Sequence, residues 1–318
     1  MLNRFKDYLL NKSDRYRFYK SEYTRLQQEK DTLKEKIEKL SYGPPPGHFY
    51  SPIVDLDFLK QREDLIWQPK FISGVQLNEK EQLNLIKSFT KYYPEMPFKS
   101  GKRPNLRYYF RNNYFGRGDG ILLYSMIRSL KPNKIIEVGS GFSSALMMDV
   151  NDLFFGKEID MKFIEPYPYR LNELMSEEDK KKYQYIPTIV QDTDLELFKQ
   201  LEPNDILFID GSHVVKTGSD VQHIFFKILP ELKSGVYIHF HDIFYPFEYP
   251  KHWIFDNHWS WNEYYFLMAF LMHNTQFKIV LSANYLGHYH KKDIRNIGVD
   301  GGGSVWIKKD LKKNLTIC

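Results

Sequence analysis

Cysteine is nearly absent from this chain: Cys318 is the only one, and it is the last residue. A disulfide framework and a cysteine metal site are thereby excluded, and the composition suits a reducing cytoplasm. Long apolar runs are missing too. No stretch of about 18 apolar residues marks a membrane span. The first ten residues carry Arg4, Lys6 and Asp7 and lack the apolar run of a secretory signal. Charge excess is small. Of the formal +5, residues 1–40 supply +4, with eleven Lys/Arg against seven Asp/Glu. The rest is nearly balanced, which argues against a nucleic-acid-binding surface.

Glycine and proline are also missing before Gly43. Residues 1–42 therefore read as one helix. Counted from Leu2, its a positions are Leu2, Leu9, Tyr16, Tyr23, Lys30 and Ile37. Its d positions are Phe5, Lys12, Tyr19, Leu26, Leu33 and Leu40. A repeat of about 3.5 residues with an apolar seam predicts a coiled coil, and so a homo-oligomer formed through residues 1–40. A helix docked on its own domain and a basic amphipathic helix in peripheral contact with a membrane are the alternatives. Gly43-Pro44-Pro45-Pro46-Gly47 ends the helix. Residues 43–120 form a linker and an aromatic, basic cap. The stretch 99–117 interleaves Arg and Lys with Tyr108, Tyr109, Phe110, Tyr114 and Phe115. It reads either as a lid over an anionic or sugar-like substrate or as a solvated surface with a few buried rings.

What is present from residue 121 to 318 is alternation of strand and helix, the pattern of an α/β doubly wound sheet. Strands are expected at 134–139, 161–165, 185–191, 205–210, 235–241, 277–284 and 303–309. Helices are expected at 142–152, 168–180, 194–201, 214–230 and 261–273, and Gly301-Gly302-Gly303 reads as a hairpin return. In open α/β sheets ligands sit beyond the carboxyl ends of the strands. Those ends read Glu137-Val-Gly139-Ser140-Gly141-Phe-Ser143, then Glu165, Gln191-Asp192, Asp210-Gly-Ser-His213 and His241-Asp242. Each acid alone could be a solvated strand end, and Asp192 could be a helix N-cap. Five on one edge predict a site. Gly139 and Gly141 leave room for a ligand to approach the backbone, and the helix start behind them offers free N–H groups. Ser144 stands where a dinucleotide-binding fingerprint has glycine, and Glu137 comes too early for it, which counts against an NAD-dependent oxidoreductase.

This pattern resembles class I S-adenosylmethionine-dependent methyltransferases. Its Asp-Gly-Ser-His and His-Asp elements resemble those of a bacterial subgroup often found among sugar-modifying enzymes. The likeness runs through residues 47–53, 137–144, 208–213, 241–243 and 261–263. It implies a Rossmann-like seven-stranded sheet with flanking helices and a last strand running antiparallel. It also implies S-adenosylmethionine as cofactor, with Glu137, Gly139, Ser140, Gly141 and Ser143 around the methionine part. Glu165 would meet the ribose, Asp192 the adenine, and Asp210 would close the track. The chemistry is then in-line transfer of an activated methyl to an oxygen whose proton must be removed.

His213 and His241, on adjacent strand ends, are the candidate bases, with Asp242 beside them. Related enzymes imply that Asp210 and Asp242 hold a divalent metal, Mg²⁺ or Mn²⁺; a metal-free Asp–His base is equally consistent. Residues 244–262 read as an aromatic acceptor wall or as a loop packed on the cap. The expected function is O-methylation of a sugar hydroxyl in a glycan or nucleotide-sugar intermediate. The alternative is an inactive scaffold recruited to glycan assembly through the coiled coil. A metal hydrolase built on Asp210, His213, His241 and Asp242 would leave the glycine loop unexplained.

Overall fold

The computed structural model describes residues 2–40 and 43–310. Cys318 and the last residues of the chain lie outside the described part. The chain divides into two compact units, Met1–Arg62 and Glu63–Cys318. In the first, a single helix covers Leu2–Leu40, as the absence of Gly and Pro predicts. Its seam residues Tyr19, Tyr23, Leu26, Leu33 and Ile37 are exposed. A short helix, Leu56–Lys60, follows; its N-cap Asp55 accepts from the N–H groups of Asp57 and Phe58. Among the described residues, no helix is long and apolar enough to cross a membrane.

The second unit is built on one seven-stranded sheet. The strands are β1 Lys134–Val138, β2 Asp160–Ile164, β3 Gln184–Ile186, β4 Ile206–Ile209, β5 Tyr237–His241, β6 Phe277–Ser282 and β7 Ser304–Lys309. Their spatial order is β3-β2-β1-β4-β5-β7-β6. β1 to β5 pair in parallel, and β7 is antiparallel to both β5 and β6. The α/β class, the seven strands and the antiparallel last strand are as expected. The order reverses between β1 and β4, and that switch point is where a ligand crevice opens in such sheets. Parallel strands covered on both faces must be apolar throughout, and every residue of β4 is buried.

Several boundaries differ from the expectation, each for a local reason. β3 stops at Ile186 because Pro187 has no N–H for the ladder; a 3₁₀ turn, Val190–Asp192, replaces the rest. The helix expected over 168–180 is two, Tyr169–Leu174 and Glu177–Lys182. Ser176 caps the second, its hydroxyl accepting from Asp179 N–H while Asp179 accepts from Ser176 N–H. The helix expected over 214–230 starts only at Asp220, behind Gly218 at φ +74° and the N-cap Ser219. β6 and β7 pair, but not through a tight hairpin at Gly301-Gly302-Gly303: helices Ala283–Tyr289 and Lys291–Arg295 lie between them.

The cap residues are not uniformly a lid. Tyr108, Phe115 and Phe98 are buried in the core with Tyr124 of the helix Arg117–Leu130. Arg107 serves structure. Its guanidinium meets Asp149 at 2.7 Å, Asp152 at 2.9 Å and Asp179 at 2.5 Å, while Asp149 also accepts from the N–H groups of Arg107 and Tyr108. This ties the segment before Tyr114 to the helices Phe142–Phe154 and Glu177–Lys182.

Candidate functional site

Two cavities lie along the carboxyl edge of the sheet. The first, about 390 Å³, is lined by Gly139, Glu165, Gln191, Asp210, Gly211, Lys216 and Ser219, among others. The second, about 340 Å³, is lined by Ser140, Gly141, Ser143, His213, His241 and Asp242, with an aromatic wall of Tyr114, Phe142, Trp253, Trp259 and Trp261. Gly139, Glu165, Asp210 and Gly211 line both.

The loop between β1 and the helix Phe142–Phe154 is shaped from below. Glu137 is fully buried; Ser143 Oγ donates to its Oε1 at 2.5 Å and Ser144 Oγ to its Oε2. Gly139 has φ +83°, and a Cβ there would sit 1.7 Å from the Asp210 carbonyl oxygen. Glycine is required here because the exits of β1 and β4 touch. Glu165 Oε2 accepts from Ser140 N–H at 3.1 Å and Oε1 from Tyr167 N–H at 2.8 Å, which fixes its carboxylate at the junction of the cavities. Gln191 Oε1 is buried without a hydrogen-bond partner in the first cavity.

Across the cleft, carboxylates and imidazoles interlock. His213 Nδ1 lies 2.9 Å from Glu263 Oε2, and its Nε2 lies 3.4 Å from Asp210 and 3.6 Å from Asp242. His241 Nδ1 lies 3.1 Å from Asp242 and 3.8 Å from Asp210, and its Nε2 lies 4.0 Å from Asp119. His213 at φ +59° and Asp242 at φ +57° hold left-handed backbone. Burial pushes Asp210 up, but His241 and His213 outweigh it and hold the carboxyl at about 2. Burial alone would depress both imidazoles. Asp210 and Glu263 instead raise His213 well above its ordinary value, and Asp242 and Asp210 raise His241 to about 10. Both shifts favour the protonated rings, and the base role expected of them requires that proton to leave.

Asp210, His241 and Asp242 each offer one ligand atom, all within 4.8 Å of one another. Neither ring nitrogen of His241 is in line for a hydrogen bond. Two carboxylates and an imidazole whose nitrogens have no aligned hydrogen bond are a donor set that fits a divalent cation. Trp259 and Trp261 stack at 4.5 Å and 12°, and Trp261 lies 4.3 Å from the His213 ring.

Residues 136–243 match the family described as "Methyltransferase domain". An "Uncharacterized protein" of Archaeoglobus fulgidus is 36% identical over 182 residues, covering 51% of this chain and 75% of that one. The chain belongs to the methyltransferase-domain family. Among solved structures, the SAH-bound Podospora anserina methyltransferase PaMTH1 is similar over 85% of this chain and 99% of its own, at 13% identity and TM-score 0.43. The O-methyltransferase from Bacillus cereus in complex with SAH is similar over 80% and 97%, at 12% identity and TM-score 0.38. The architecture assigned here rests on the strand order, not on these likenesses.

Of the residues singled out in sequence, the methyltransferase domain brings Gly139, Ser140, Gly141, Ser143, Glu165, Asp210, His213, His241 and Asp242 to the two cavities. Two fall elsewhere. Glu137 lies beneath the loop and lines neither cavity, because its carboxyl is taken by Ser143 and Ser144. Asp192 is exposed and lines neither; its neighbour Gln191 faces the first cavity, and Asp194 accepts from Glu196 N–H at 3.0 Å. Sequence reasoning gave Glu263 no role in the site, yet its carboxylate is 2% exposed against His213. It also passed over Asp119, which accepts from Ser304 Oγ at 2.6 Å and Gly303 N–H at 3.1 Å. Strand alternation could have flagged His239: two residues before His241, it shares that face. It is buried against Phe208 at 3.9 Å, and burial pushes it well below its ordinary value.

Glu137 gives a pH signature. Burial, opposed by the two serine hydrogen bonds, raises its carboxyl from 4.5 to about 8. The folded state thus keeps a proton that the unfolded chain releases. Its contribution is full below pH 4.5 and is lost as pH rises through about 8. Glu137→Gln is expected to gain stability relative to the parent between pH 5 and 9, by up to about 4 kcal/mol. Denaturant melts at the two ends of that range measure it; a difference that stays flat with pH contradicts the assignment.

Proposed function

We propose that this chain is an S-adenosylmethionine-dependent O-methyltransferase whose acceptor is a sugar hydroxyl of a glycan or nucleotide-sugar intermediate, acting in the cytoplasm. One observation carries the reading: the cavity at the switch point adjoins the tryptophan-walled cleft through Gly139, Glu165, Asp210 and Gly211. The chain's residues suit the cofactor. Glu165 has oxygens for ribose hydroxyls, and the orphaned Gln191 Oε1 is an acceptor awaiting an N–H donor such as the adenine amino group.

When bound, the sulfonium supplies a methyl group already activated for displacement. The protein must then orient an acceptor oxygen and take its proton. Trp253, Trp259 and Trp261 present ring faces on which a sugar can lie. His213, beside Trp261 and with Glu263 holding its ring from behind, would receive the proton once its own has left; His241 would serve as base only where it holds no cation. Asp210, His241 and Asp242 would hold a divalent cation, Mg²⁺ or Mn²⁺, whose role is to lower the acceptor hydroxyl's pKa. No feature of the described residues favours the inactive-scaffold alternative.

The test is methyl transfer from labelled S-adenosylmethionine to a panel of nucleotide sugars, glycans, phenols and proteins, with and without added Mg²⁺ or Mn²⁺. Label in the sugar supports the reading; label only in a phenol or a protein defeats the acceptor assignment.

The long helix serves in this reading to pair copies of the chain. Leu26 and Leu33 of its seam are 55% and 57% exposed, and a surface apolar stripe on so charged a helix needs a partner. The double variant Leu26→Asp, Leu33→Asp is expected to shift the protein from oligomer to monomer in light scattering. An unchanged mass rules out pairing through this seam.

A further inference from the structure

Asp119 lies in the first turn of the helix Arg117–Leu130 and is 9% exposed. The glycine run before β7 is shaped around it. Ser304 Oγ donates to its Oδ1 at 2.6 Å and Gly303 N–H to its Oδ2 at 3.1 Å. A Cβ on Gly302 would stand 2.5 Å from Asp119 Oδ1, and one on Gly118 would stand 1.7 Å from the Gly301 carbonyl oxygen. Gly301-Gly302-Gly303 is therefore bare backbone on which a helix start closes, and the closure brings Asp119 to the end of β5.

There it meets His241. Asp119 Oδ2 lies 4.0 Å from His241 Nε2. Among the described residues it is the one carboxylate within ion-pair distance of that nitrogen. Asp242 and Asp210 face Nδ1 instead, at 3.1 and 3.8 Å. The imidazole is buried at 6% exposure, Phe115 covers it at 5.1 Å, and neither ring nitrogen has a hydrogen-bond partner. A neutral imidazole has one N–H and one bare nitrogen. The nitrogen that ligates a cation must be the bare one, so the hydrogen stands on the other, and a buried N–H needs an acceptor. With Nδ1 facing Asp210 and Asp242, the hydrogen falls on Nε2, on the side of Asp119. A carboxylate oxygen has room to accept from both Gly303 N–H and the ring.

We propose that Asp119 is a positioning residue for the cation site: it accepts the Nε2 hydrogen of His241 and so keeps the Nδ1 lone pair directed at the place between Asp210 and Asp242. The inference rests on the cation reading given above and adds the residue that fits this histidine for it. It also divides the work of the two imidazoles. With its lone pair committed to a cation, His241 has none for a proton, and His213 is left to take the proton of the acceptor.

Mn²⁺ binding to the purified protein, followed by the spin resonance of the free ion, tests this without turnover. Asp119→Asn keeps the shape of the side chain and removes its charge. It is expected to weaken Mn²⁺ roughly 10- to 100-fold, the usual loss when the partner of a ligating histidine is removed. His241→Ala should weaken Mn²⁺ as well, and adding Asp119→Asn to it should cost nothing further. Circular dichroism certifies the fold of each variant. Unchanged Mn²⁺ affinity in Asp119→Asn overturns the role. An equal further loss on the His241→Ala background overturns it too, because Asp119 would then act by charge alone and not through the ring. If Asp119→Asn does not fold, the parent decides. With Mg²⁺ bound, nitrogen NMR of labelled histidine should find the His241 hydrogen on Nε2, and a hydrogen on Nδ1 overturns the proposal. A parent that binds neither Mn²⁺ nor Mg²⁺ overturns the cation reading itself, and the role of Asp119 with it.

Discussion

Asp242→Asn is expected to lower methyl transfer by roughly 10²- to 10⁴-fold in kcat, the range that a positioned acid–base group or its partner contributes. Asparagine is the informative replacement. Asp242 sits at φ +57°, a conformation that asparagine tolerates better than most side chains, so the backbone at the end of β5 should survive. What disappears is one of the two carboxylates that face both imidazoles, at 3.1 Å from His241 and 3.6 Å from His213. Asp242 lines only the acceptor cleft, so S-adenosylhomocysteine affinity should stay within about twofold of the parent's. Turnover by labelled-methyl assay and affinity by calorimetry separate the two effects. A variant that keeps parental turnover removes Asp242 from the chemistry. One that loses cofactor binding as well moves it to the other cavity.

The second large effect is structural. Arg107→Ala is expected to cost roughly 3–5 kcal/mol of folding free energy, the penalty of leaving a buried charge without its partner. The Asp149 side chain is 0% exposed, and burial already raises its carboxyl to about 6 against the hydrogen bonds from the backbone N–H groups of Tyr108 and Arg107 and from the Arg107 guanidinium. Removing the guanidinium strips the charge that lets Asp149, Asp152 and Asp179 approach one another. Lysine should restore only part of the loss, since a point charge cannot fork to three carboxylates. The double variant Arg107→Met, Asp149→Asn should be less destabilised than the sum of its singles. Denaturant melts of the four proteins decide it. Additive losses would mean that Arg107 and Asp149 stabilise the protein independently.

The sheet and its ligand edge were legible for a definite reason. Parallel strands covered on both faces must be apolar, so Ile206–Ile209 announces itself, and the first polar residue after such a run is forced to the edge. Asp210, Glu165 and Asp242 were found that way. The same rule misplaced Glu137, which belongs to β1 and points below the loop. It misplaced Asp192 because Pro187 ends β3 early, so the residues counted as strand end are a 3₁₀ turn. Arg107 was hidden among other basic residues, and only its three carboxylate partners, 42, 45 and 72 positions away in sequence, tell it from its neighbours. Glu263 opens the helix Glu263–Leu271, where an acid suits the N-terminus; that it also backs His213 is a tertiary fact with no local signal.

The contact between Gly139 and the Asp210 carbonyl oxygen has a mechanical consequence. With space there for a hydrogen and not for a methyl, the loop of β1 and the exit of β4 cannot slide past each other. Asp210 then leads directly to His213 and Asp242. A ligand that seats itself against the loop therefore pushes on the same backbone that aims the acceptor-side charges. In the function proposed above, the expected order of binding is therefore cofactor before acceptor.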